Sequence, residues 1–327
     1  MGYSAQVIAR AQQRLAEQKA DKESRYRAAL MQAYAREPRL REIDAQLRRT
    51  MTLAAKTAFM DGTDAREAMA AAREANLALQ AERQQLIDTR LPGNFLDETP
   101  ICDRCGGNGY LGSRMCGCLS CLCVEEQKKE IAMLTTGQET FERFRLDYYP
   151  ERVDPMYGAS PRAIMERNFK YCCQYAQNFA EGIGNLLFVG GTGLGKTYLS
   201  ACIANAVTDK GFSVAYESAP SLFSKLEKAR FEHDEESHAE VAALKTCDLL
   251  IIDDLGTEMP GSFVTAALYS LLNDRLLAGK CMLISTNLNV DEMAKRYSPQ
   301  IASRVQGQFR GLTFVGQDIR VLKSRGV

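Results

Sequence analysis

Short apolar runs alternate with longer mixed segments along the second half of the chain. Three of these runs, Leu186–Val189, Leu249–Ile252 and Met282–Ile284, are apolar at every position. Strands buried on both faces of a parallel sheet have continuous runs of this kind, whereas half-exposed strands alternate apolar and polar residues. The segments between the runs are long enough for helices. This pattern predicts an α/β fold with a parallel sheet and helices on both faces.

The region before about residue 95 has a different pattern, which predicts helices only. It is rich in Ala, Gln, Arg and Glu and poor in Gly, a helix-favouring composition. A first helix should run from the N-cap Ser4 to Arg36. A third should end near Arg90, with Asp64 and Glu67 as a capping box at its start. The second helix carries a one-sided apolar stripe of Ile43, Leu47, Met51 and Ala54. These residues leave open whether the region is a structural bundle or an arm that docks on a partner protein.

Weaker patterns predict several further elements. A helical segment should cover residues 125–134, and another helix should run from Ser218 to about Arg230. A polar link that carries both histidines, His233 and His238, should then pass into another helix from about Ser237 to Lys245. Residues 311–315 should be extended.

The clearest chemical motif directly follows the run Leu186–Val189. Gly190-x4-Gly195-Lys196-Thr197 fits the phosphate-loop pattern without a mismatch, with a predicted strand before it and a predicted helix after it. In such a loop, backbone N–H groups and a helix N-terminus surround phosphate oxygens. Lys196 should reach the β- and γ-phosphates of a nucleoside triphosphate, and the Thr197 hydroxyl should bind Mg²⁺. The predicted nucleotide-binding residues are Gly190, Gly191, Thr192, Gly193, Leu194, Gly195, Lys196, Thr197 and Tyr198.

Polar side chains also end two other predicted strands. Asp253 and Asp254 follow one apolar run, and Asn287 follows another. Ligands of open α/β sheets bind at the carboxyl ends of the strands, so Asp253 should lie beside the Mg²⁺ bound by Thr197. Asp254 is placed to orient or deprotonate the attacking water. Asn287 could hold the same water, contact the γ-phosphate, or simply cap the next helix.

Six of the eleven cysteines fall between Cys102 and Cys123. Such crowding is more typical of metal binding than of a disulfide framework. The only two histidines are far along the chain, so the predicted site is all-cysteine, with four thiolates holding a structural zinc ion. The preferred ligands are Cys102, Cys105, Cys116 and Cys118. Cys121 and Cys123 could replace the second pair, or all six could form one cluster.

Composition sets limits on partners and location. Lys plus Arg and Asp plus Glu number 41 each, so bulk charge gives no indication of nucleic-acid binding, which would have to use a local patch. The first residues lack an apolar stretch of signal-peptide length, and no run approaches the about 20 residues of a membrane span. We therefore expect a cytoplasmic protein that does not bind membranes.

Taken in order, the motifs resemble the AAA+ ATPases, a class of P-loop NTPases, and within them the bacterial replicative helicase loaders of the DnaC/DnaI type, with IstB transposition helpers as close relatives. The resemblance covers about Phe141 to Arg320. It is carried by Asn185–Thr197, Cys247–Gly256, Ile284–Asn287, Ser303-Arg304 and Gly316–Arg320.

The resemblance implies roles that the pattern alone does not. Asn287 would be the sensor on the fourth core strand, and Arg320 would sense the γ-phosphate within the same chain. Arg304 would be a finger that enters the ATP site of a neighbouring subunit. Phe141 and Phe144 would help to cover the adenine.

The resemblance also implies a path for single-stranded DNA and a region that binds the helicase. The helix that begins at Ser218 would line the DNA path, where Lys225, Lys228 and Arg230 could meet the backbone or could be solvated surface residues. In the zinc-knuckle loaders, the N-terminal region grips the helicase. Two features depart from the wider AAA+ pattern. Asp254 stands where many members have Glu, and only 40 residues follow Asn287, too few for a full helical lid.

The expected organisation is a helical partner-binding arm over residues 1–95, a zinc knuckle and linker helix over 96–135, and an AAA+ core with a reduced or absent lid over 136–327. The expected function is ATP-dependent loading of a replicative DNA helicase onto single-stranded DNA by a spiral or ring of subunits. The expected cofactors are ATP, Mg²⁺ and Zn²⁺. The alternatives are an IstB-like transposition helper ATPase and a nucleotide-locked DNA-binding adaptor with little hydrolysis.

Overall fold

The computed structural model describes residues 2–57, 63–93, 95–135, 137–232 and 234–324. The chain divides into two compact units: the first combines residues 1–13 with 117–327, and the second spans 14–116. The organisation expected from the sequence, with boundaries near 95 and 135, remains a prediction.

The described elements are mainly helical, with one larger and one smaller sheet. The helices are α1 (Ala5–Arg36), α2 (Pro38–Thr57), α3 (Thr63–Arg90), α4 (Gly117–Leu134), α5 (Pro161–Gln177), α6 (Lys196–Asp209), α7 (Ala219–Phe231), α8 (Glu235–Thr246), α9 (Ser262–Leu277), α10 (Val290–Arg296), α11 (Pro299–Gln308) and α12 (Ile319–Ser324). The strands are β1 (Tyr110–Leu111), β2 (Arg114–Met115), β3 (Asn185–Val189), β4 (Val214–Ser218), β5 (Leu249–Leu255), β6 (Cys281–Thr286) and β7 (Phe309–Thr313). Short 3₁₀ turns cover Phe141–Arg143 and Leu146–Tyr148.

The five strands of the first unit form one parallel sheet in the order β4-β5-β6-β3-β7. The phosphate-loop strand β3 therefore lies between β6 and β7. Because all strands run in the same direction, their carboxyl ends meet at one edge of the sheet, where ligands of such folds bind. The predicted α/β class is confirmed.

Both faces of this sheet are covered by helices, and successive strand residues alternate between the two cores. Leu186 and Phe188 lie in one apolar cluster with residues of α5 and α6. Leu187 lies in a second cluster with residues of α7, α8, α9, α10 and α11. The same alternation places Ile251 in the first cluster and Ile252 in the second. Burial on both sides explains why these strands are apolar at consecutive positions.

The edge strand β4 is hydrogen-bonded to a side chain of α4. The backbone N–H of Val214 donates to Oε1 of Gln127 at 3.0 Å, and Nε2 of Gln127 donates to the hydroxyl of Thr208 at 2.9 Å. The start of the chain also belongs to this unit, since Tyr3 is buried and its hydroxyl donates to the carbonyl of Gly211 at 3.2 Å. Covering an exposed strand edge prevents it from pairing with another chain.

The three predicted N-terminal helices are present as α1, α2 and α3. The hydroxyl of Ser4 accepts from the N–H of Val7 at 3.1 Å, as expected of an N-cap. In the second unit, Ile43 of the predicted stripe is fully buried. Arg83 joins two segments of this unit, with Asp44 at 2.9 Å and Glu98 at 2.6 Å. The side chains of Met51, Ala54, Asp64 and Glu67 lie outside the described residues.

Two boundaries predicted from the sequence were wrong. Helix α4 begins at Gly117, not near residue 125, because Leu119 and Leu122 are buried and this packing outweighs the weak helix preference of the intervening cysteines. Strand β7 begins at Phe309, whose side chain is buried, and not at residue 311. The predicted helix from about Ser237 to Lys245 is present as α8, whose N-cap Asp234 accepts from the N–H of Ser237 at 2.7 Å. This helix includes His238, which was predicted to lie in the link, while His233 lies outside the described residues.

Among the described residues, no helix combines the length and the apolar character needed to cross a bilayer.

Candidate functional site

The phosphate-loop motif connects the end of β3 to the first turn of α6, as predicted. Gly193 has φ of 70°, and a Cβ atom there would lie 1.9 Å from Oδ1 of Asp318. Gly195 has φ of 88°, and a Cβ atom there would lie 2.9 Å from the hydroxyl oxygen of Tyr149. Both positions therefore combine left-handed backbone with close neighbours, which only glycine tolerates.

Lys196 lies within the loop that precedes it. Its Nζ donates to the carbonyls of Gly190 at 2.9 Å and Gly191 at 2.7 Å, and the residue is 5% exposed. Burial lowers the pKa of Lys196, and the nearby charges of Asp254 and Asp253 partly oppose that shift. A buried ammonium that donates to neutral carbonyls gains favourable interactions when phosphate oxygens replace them.

Asp253 is buried and held by two hydroxyl groups. Tyr216 donates its hydroxyl to Oδ2 at 3.1 Å, and Ser285 donates to Oδ1. Burial, reinforced by the charge of Asp253, raises the pKa of Tyr216 well above its usual value, so Tyr216 remains a donor at neutral pH. Each carboxylate oxygen has a second lone pair, so Asp253 keeps acceptor capacity for a cation or water.

Asp254 has a different orientation, facing the cavity in front of the loop. It has φ of 53°, an uncommon value for a residue other than glycine, and its N–H donates to Oγ of Ser285 at 2.8 Å. Burial raises the pKa of Asp254, and the charge of Asp253 raises it further. A strained backbone and a perturbed carboxyl are both features that occur often at functional sites.

A cavity of about 480 Å³ opens in front of the phosphate loop. Its charged walls carry more cations than anions. The acidic residues are Glu139 and Asp254, and the basic residues are Arg143, Arg145, Lys196, Arg320 and Lys323. A cavity with this excess of positive charge suits a polyanion such as a triphosphate.

Aromatic side chains form one wall of this cavity. Phe144 lines it and stacks on Phe169 with ring centroids 5.1 Å apart. Phe141 meets the same Phe169 ring edge-on at 5.9 Å. Tyr198 also lines the cavity, and its hydroxyl donates to the carbonyl of Thr140 at 3.0 Å. The two phenylalanines predicted to cover the adenine thus share one aromatic cluster, of which Phe144 faces the cavity.

The other predicted site residues are placed as follows. Thr197 and Arg320 line the cavity. Asn287 is exposed and directly follows β6 at the same edge of the sheet. Arg304 lies on α11, outside the cavity lining, where its Nη1 donates to Oδ1 of Asn273 at 2.6 Å and its guanidinium lies 4.9 Å from the ring centroid of Tyr269.

The three cations proposed to meet DNA differ in their surroundings. Nζ of Lys225 pairs with Oε1 of Glu217 at 2.6 Å. Lys228 lies 3.7 Å from Glu232 on the exposed surface of α7. The guanidinium of Arg230 lies 5.5 Å from the ring centroid of Phe263.

The predicted metal ligands form a compact cluster. The sulfur atoms of Cys102, Cys105, Cys116 and Cys118 all lie within 4.8 Å of one another. Cys102 and Cys116 are separated by 3.8 Å between their sulfurs, close to the about 3.8 Å edge of a tetrahedron built from zinc–sulfur bonds of about 2.3 Å. The N–H of Gly109 donates to the sulfur of Cys105 at 3.3 Å, which stabilises a thiolate. These four cysteines fit a zinc ion.

Several residues of the nucleotide site were missed by the sequence interpretation. Tyr149 is fully buried and donates its hydroxyl to the carbonyl of Leu194 in the phosphate loop at 2.9 Å. Tyr216 and Ser285 hold Asp253, and the cations Arg143, Arg145 and Lys323 line the cavity. No local motif marks any of them, because each acts through contacts between segments far apart in the sequence.

Comparison with known proteins agrees with the resemblance seen in the motifs. Residues 170–302 match a family described as IstB-like ATP binding protein. Residues 170–302 therefore form an IstB-like ATP-binding domain. The replicative helicase loader DnaC of Escherichia coli K12 is 26% identical over 134 residues, which cover 41% of this chain and 54% of DnaC. This chain therefore spans about half the length of that relative. The predicted resemblance is confirmed.

Two further similarities accompany this domain. An insertion-sequence ATP-binding protein of Sinorhizobium fredii is 36% identical over 91 residues, which cover 28% of this chain and 30% of that protein. The crystal structure of the DnaC helicase loader is similar with a TM-score of 0.44 at 20% identity, over 54% of this chain and 98% of that one.

Proposed function

We propose that this protein is an ATPase that loads a ring-shaped replicative DNA helicase onto single-stranded DNA. One observation carries the nucleotide part of the proposal: the glycine loop, the buried Lys196 and the carboxylate of Asp254 face one cation-rich cavity. The loader part is supported by the sequence similarity to DnaC, a protein named for that activity.

In the proposed site, the loop and Lys196 bind the phosphates, while Thr197 and Asp253 would hold Mg²⁺. A hydroxyl and a carboxylate are the oxygen ligands that Mg²⁺ takes beside phosphates, and the bound ion supplies charge neutralisation at the β- and γ-oxygens. Asp254 accepts a proton from the attacking water or orients it. Arg320 lies on the cavity wall, where its guanidinium can meet the γ-phosphate.

Arg304 is proposed to act on a neighbouring copy of the chain. It lies on α11, outside the lining of its own cavity, with partners on α9 that fix its position. An arginine supplied by a second subunit makes hydrolysis depend on assembly, because no single subunit then holds a complete site. ATP would favour a spiral or ring of subunits that opens the helicase, and hydrolysis would release the loader.

The remaining parts of the proposal concern partners. The helical region and the cysteine cluster would grip the helicase, with zinc as a structural ion. Lys228 and Arg230 on α7 would follow the phosphate backbone of single-stranded DNA, while the Lys225 ammonium is already paired with Glu217. We propose that the protein acts in the cytoplasm and does not bind membranes.

The loader proposal predicts ATP-dependent association with a hexameric replicative helicase. The purified protein should co-elute with the helicase of the same cell in ATP, and it should speed helicase loading onto single-stranded DNA circles. The same mixture with ADP is the control and should show weaker association. A protein that binds ATP but neither co-elutes with the helicase nor stimulates its loading would contradict the loader proposal.

A second candidate is a transposition helper, favoured by the match to the IstB-like family and by the similarity to an insertion-sequence protein. Such a protein would bind duplex DNA and a transposase. Preference for duplex over single-stranded DNA, together with capture of a transposase rather than the helicase, would support this candidate.

Asp254→Asn should separate nucleotide binding from hydrolysis. Loss of a general base typically lowers the rate by about 10²- to 10⁴-fold, whereas the phosphate contacts remain, so ATP affinity should change little. Phosphate release and calorimetric binding of ATP measure the two quantities. Asp291→Asn, at an exposed carboxylate of α10, is the matched control and should hydrolyse ATP normally. If Asp254→Asn loads helicase as well as the unmodified protein, the nucleotide-locked adaptor is the better description.

The same substitution should raise thermal stability at neutral pH. Because the folded-state pKa of Asp254 is raised, this group stabilises the fold below its unfolded pKa, and that contribution is lost as pH rises through the folded pKa. Asn cannot ionise and avoids this loss. The Tm of Asp254→Asn should therefore exceed that of the unmodified protein at pH 7, and the difference should shrink towards about pH 4.

A further inference from the structure

Two hydroxyl groups hold the carboxylate that the proposed function assigns to Mg²⁺. Tyr216 donates to one oxygen of Asp253 at 3.1 Å, and Ser285 donates to the other. The three residues come from three neighbouring strands, β4, β5 and β6. The carboxylate of Asp253 is therefore fixed from both sides within the sheet.

These contacts are well buried. Tyr216 is 6% exposed, Asp253 is 7% exposed and Ser285 is fully buried. A hydrogen bond to a charged group is stronger in such surroundings than at the surface, because water does not compete for the acceptor. The hydroxyl of Ser285 also accepts from the N–H of Asp254 at 2.8 Å, so the two carboxylate residues share one anchor.

The position of the Tyr216 ring is set by the edge of the sheet. Tyr216 packs in the apolar cluster that contains Val214 and Ile131. The backbone N–H of Val214, two residues earlier on β4, donates to Oε1 of Gln127 on α4 at 3.0 Å. The Tyr216 hydroxyl thus reaches Asp253 from strand β4, which is held by the hydrogen bond to Gln127. No residue of β4 lines the cavity in front of the loop.

We propose that Tyr216 is a positioning residue that, together with Ser285, orients the carboxylate of Asp253 for a divalent cation. This inference rests on the proposed ATPase function. It adds a residue of the edge strand to a site otherwise built from the phosphate loop and the ends of β5 and β6. Removal of a group that orients a metal-binding carboxylate typically lowers metal affinity or activity by about 10- to 100-fold.

Tyr216→Phe tests the role because it removes only the hydroxyl. ATP affinity is measured by calorimetry with and without Mg²⁺. When Mg²⁺ is absent, the variant should bind ATP as tightly as the unmodified protein. When Mg²⁺ is present, the ATP affinity of the variant should be about 10- to 100-fold lower than that of the unmodified protein. The Mg²⁺ concentration for half-maximal hydrolysis should rise by a similar factor.

Tyr175→Phe is the matched control. Tyr175 is also buried in this unit, at 4% exposed, and its hydroxyl donates to the carbonyl of Gly184 at 2.9 Å. Both variants should lower Tm by similar amounts, but Tyr175→Phe should keep the full effect of Mg²⁺ on ATP affinity. Ser285→Ala releases the other oxygen of Asp253 and should reproduce the Mg²⁺ defect, which also tests the inference if Tyr216→Phe does not fold.

The effect of Tyr216→Phe should disappear when Asp253 is already replaced by Asn, since the hydroxyl acts through that carboxylate. An unchanged Mg²⁺ effect in Tyr216→Phe, or an equal loss in Tyr175→Phe, would overturn the inference while the ATPase function stands. If the unmodified protein does not bind ATP with Mg²⁺ at all, the proposed function fails and the inference fails with it.

Discussion

Lys196→Ala should weaken ATP binding by at least about thirtyfold. A hydrogen bond to a charged group is worth about 1.5–3 kcal/mol, and Lys196 should make more than one such bond to the β- and γ-phosphates. The substitution also removes a buried cation from a cavity whose affinity for a polyanion depends on its positive charge. Titration with a fluorescent ATP analogue or calorimetry measures the loss.

Lys170→Ala is a suitable control, because Lys170 is an exposed lysine of α5 whose ammonium pairs with Glu166 on the same helix. It changes the net charge by the same amount and should leave ATP affinity unchanged. Equal affinities for Lys196→Ala and the unmodified protein would show that the glycine loop does not bind the phosphates, and the proposed function would then be wrong.

Lys196→Ala and Asp254→Asn together distinguish the nucleotide-locked adaptor from the two candidates that depend on turnover. A loader or a transposition helper that depends on turnover should lose function with either substitution. A nucleotide-locked adaptor should lose function with Lys196→Ala, because it cannot bind ATP, and keep it with Asp254→Asn. The two positions give this separation because Lys196 lies within the loop, whereas Asp254 faces the cavity from the end of β5.

The nucleotide site was accessible to sequence reasoning where its residues are local. The glycines, Lys196 and Thr197 occupy one continuous motif, and the strands β3, β5 and β6 are buried on both faces, so their apolar runs are unmistakable. Parallel strands then place the ends of β5 and β6 beside the loop by topology alone.

The supporting residues were not accessible in the same way. Tyr149 reaches the loop across 45 residues of sequence, and Tyr216 reaches Asp253 across 37. A buried tyrosine has the same sequence context whether its hydroxyl meets a backbone carbonyl or a buried carboxylate. Only the folded chain separates the two cases, as Tyr175 and Tyr216 illustrate.

The candidate cysteine ligands show a similar limit. The spacing left Cys121 and Cys123 as alternatives to Cys116 and Cys118, whereas the cluster that the structure brings together contains Cys116 and Cys118. Cys118, Cys121 and Cys123 all lie on α4, but of these only Cys118, in the first turn, belongs to the cluster, whereas Cys121 is exposed and Cys123 is buried. A buried thiol in a helix packs as a small apolar side chain, and burial raises the pKa of Cys123 to about 11, which disfavours the thiolate that a metal requires.

Cys105→Ser should abolish stoichiometric zinc binding and destabilise the segment around the cluster. Structural zinc sites in small domains supply about 10–16 kcal/mol of apparent binding free energy, and the short strands β1 and β2 are too small to fold without such support. The purified protein should contain about one zinc ion per chain, and the variant close to none. Metal analysis measures the content, and limited proteolysis between β1 and α4 reports the loss of structure.

Cys121→Ser is the matched control, since Cys121 is exposed and lies outside the cluster of four sulfurs. It should keep zinc and resist proteolysis as the unmodified protein does. ATP affinity should be unchanged in both variants, because every residue that lines the nucleotide cavity follows residue 134 in the sequence. Retention of zinc by Cys105→Ser, or its loss from Cys121→Ser, would contradict the assignment of ligands. A loss of helicase binding that accompanies loss of zinc, with ATP binding intact, would assign the cysteine cluster to the helicase grip rather than to nucleotide chemistry.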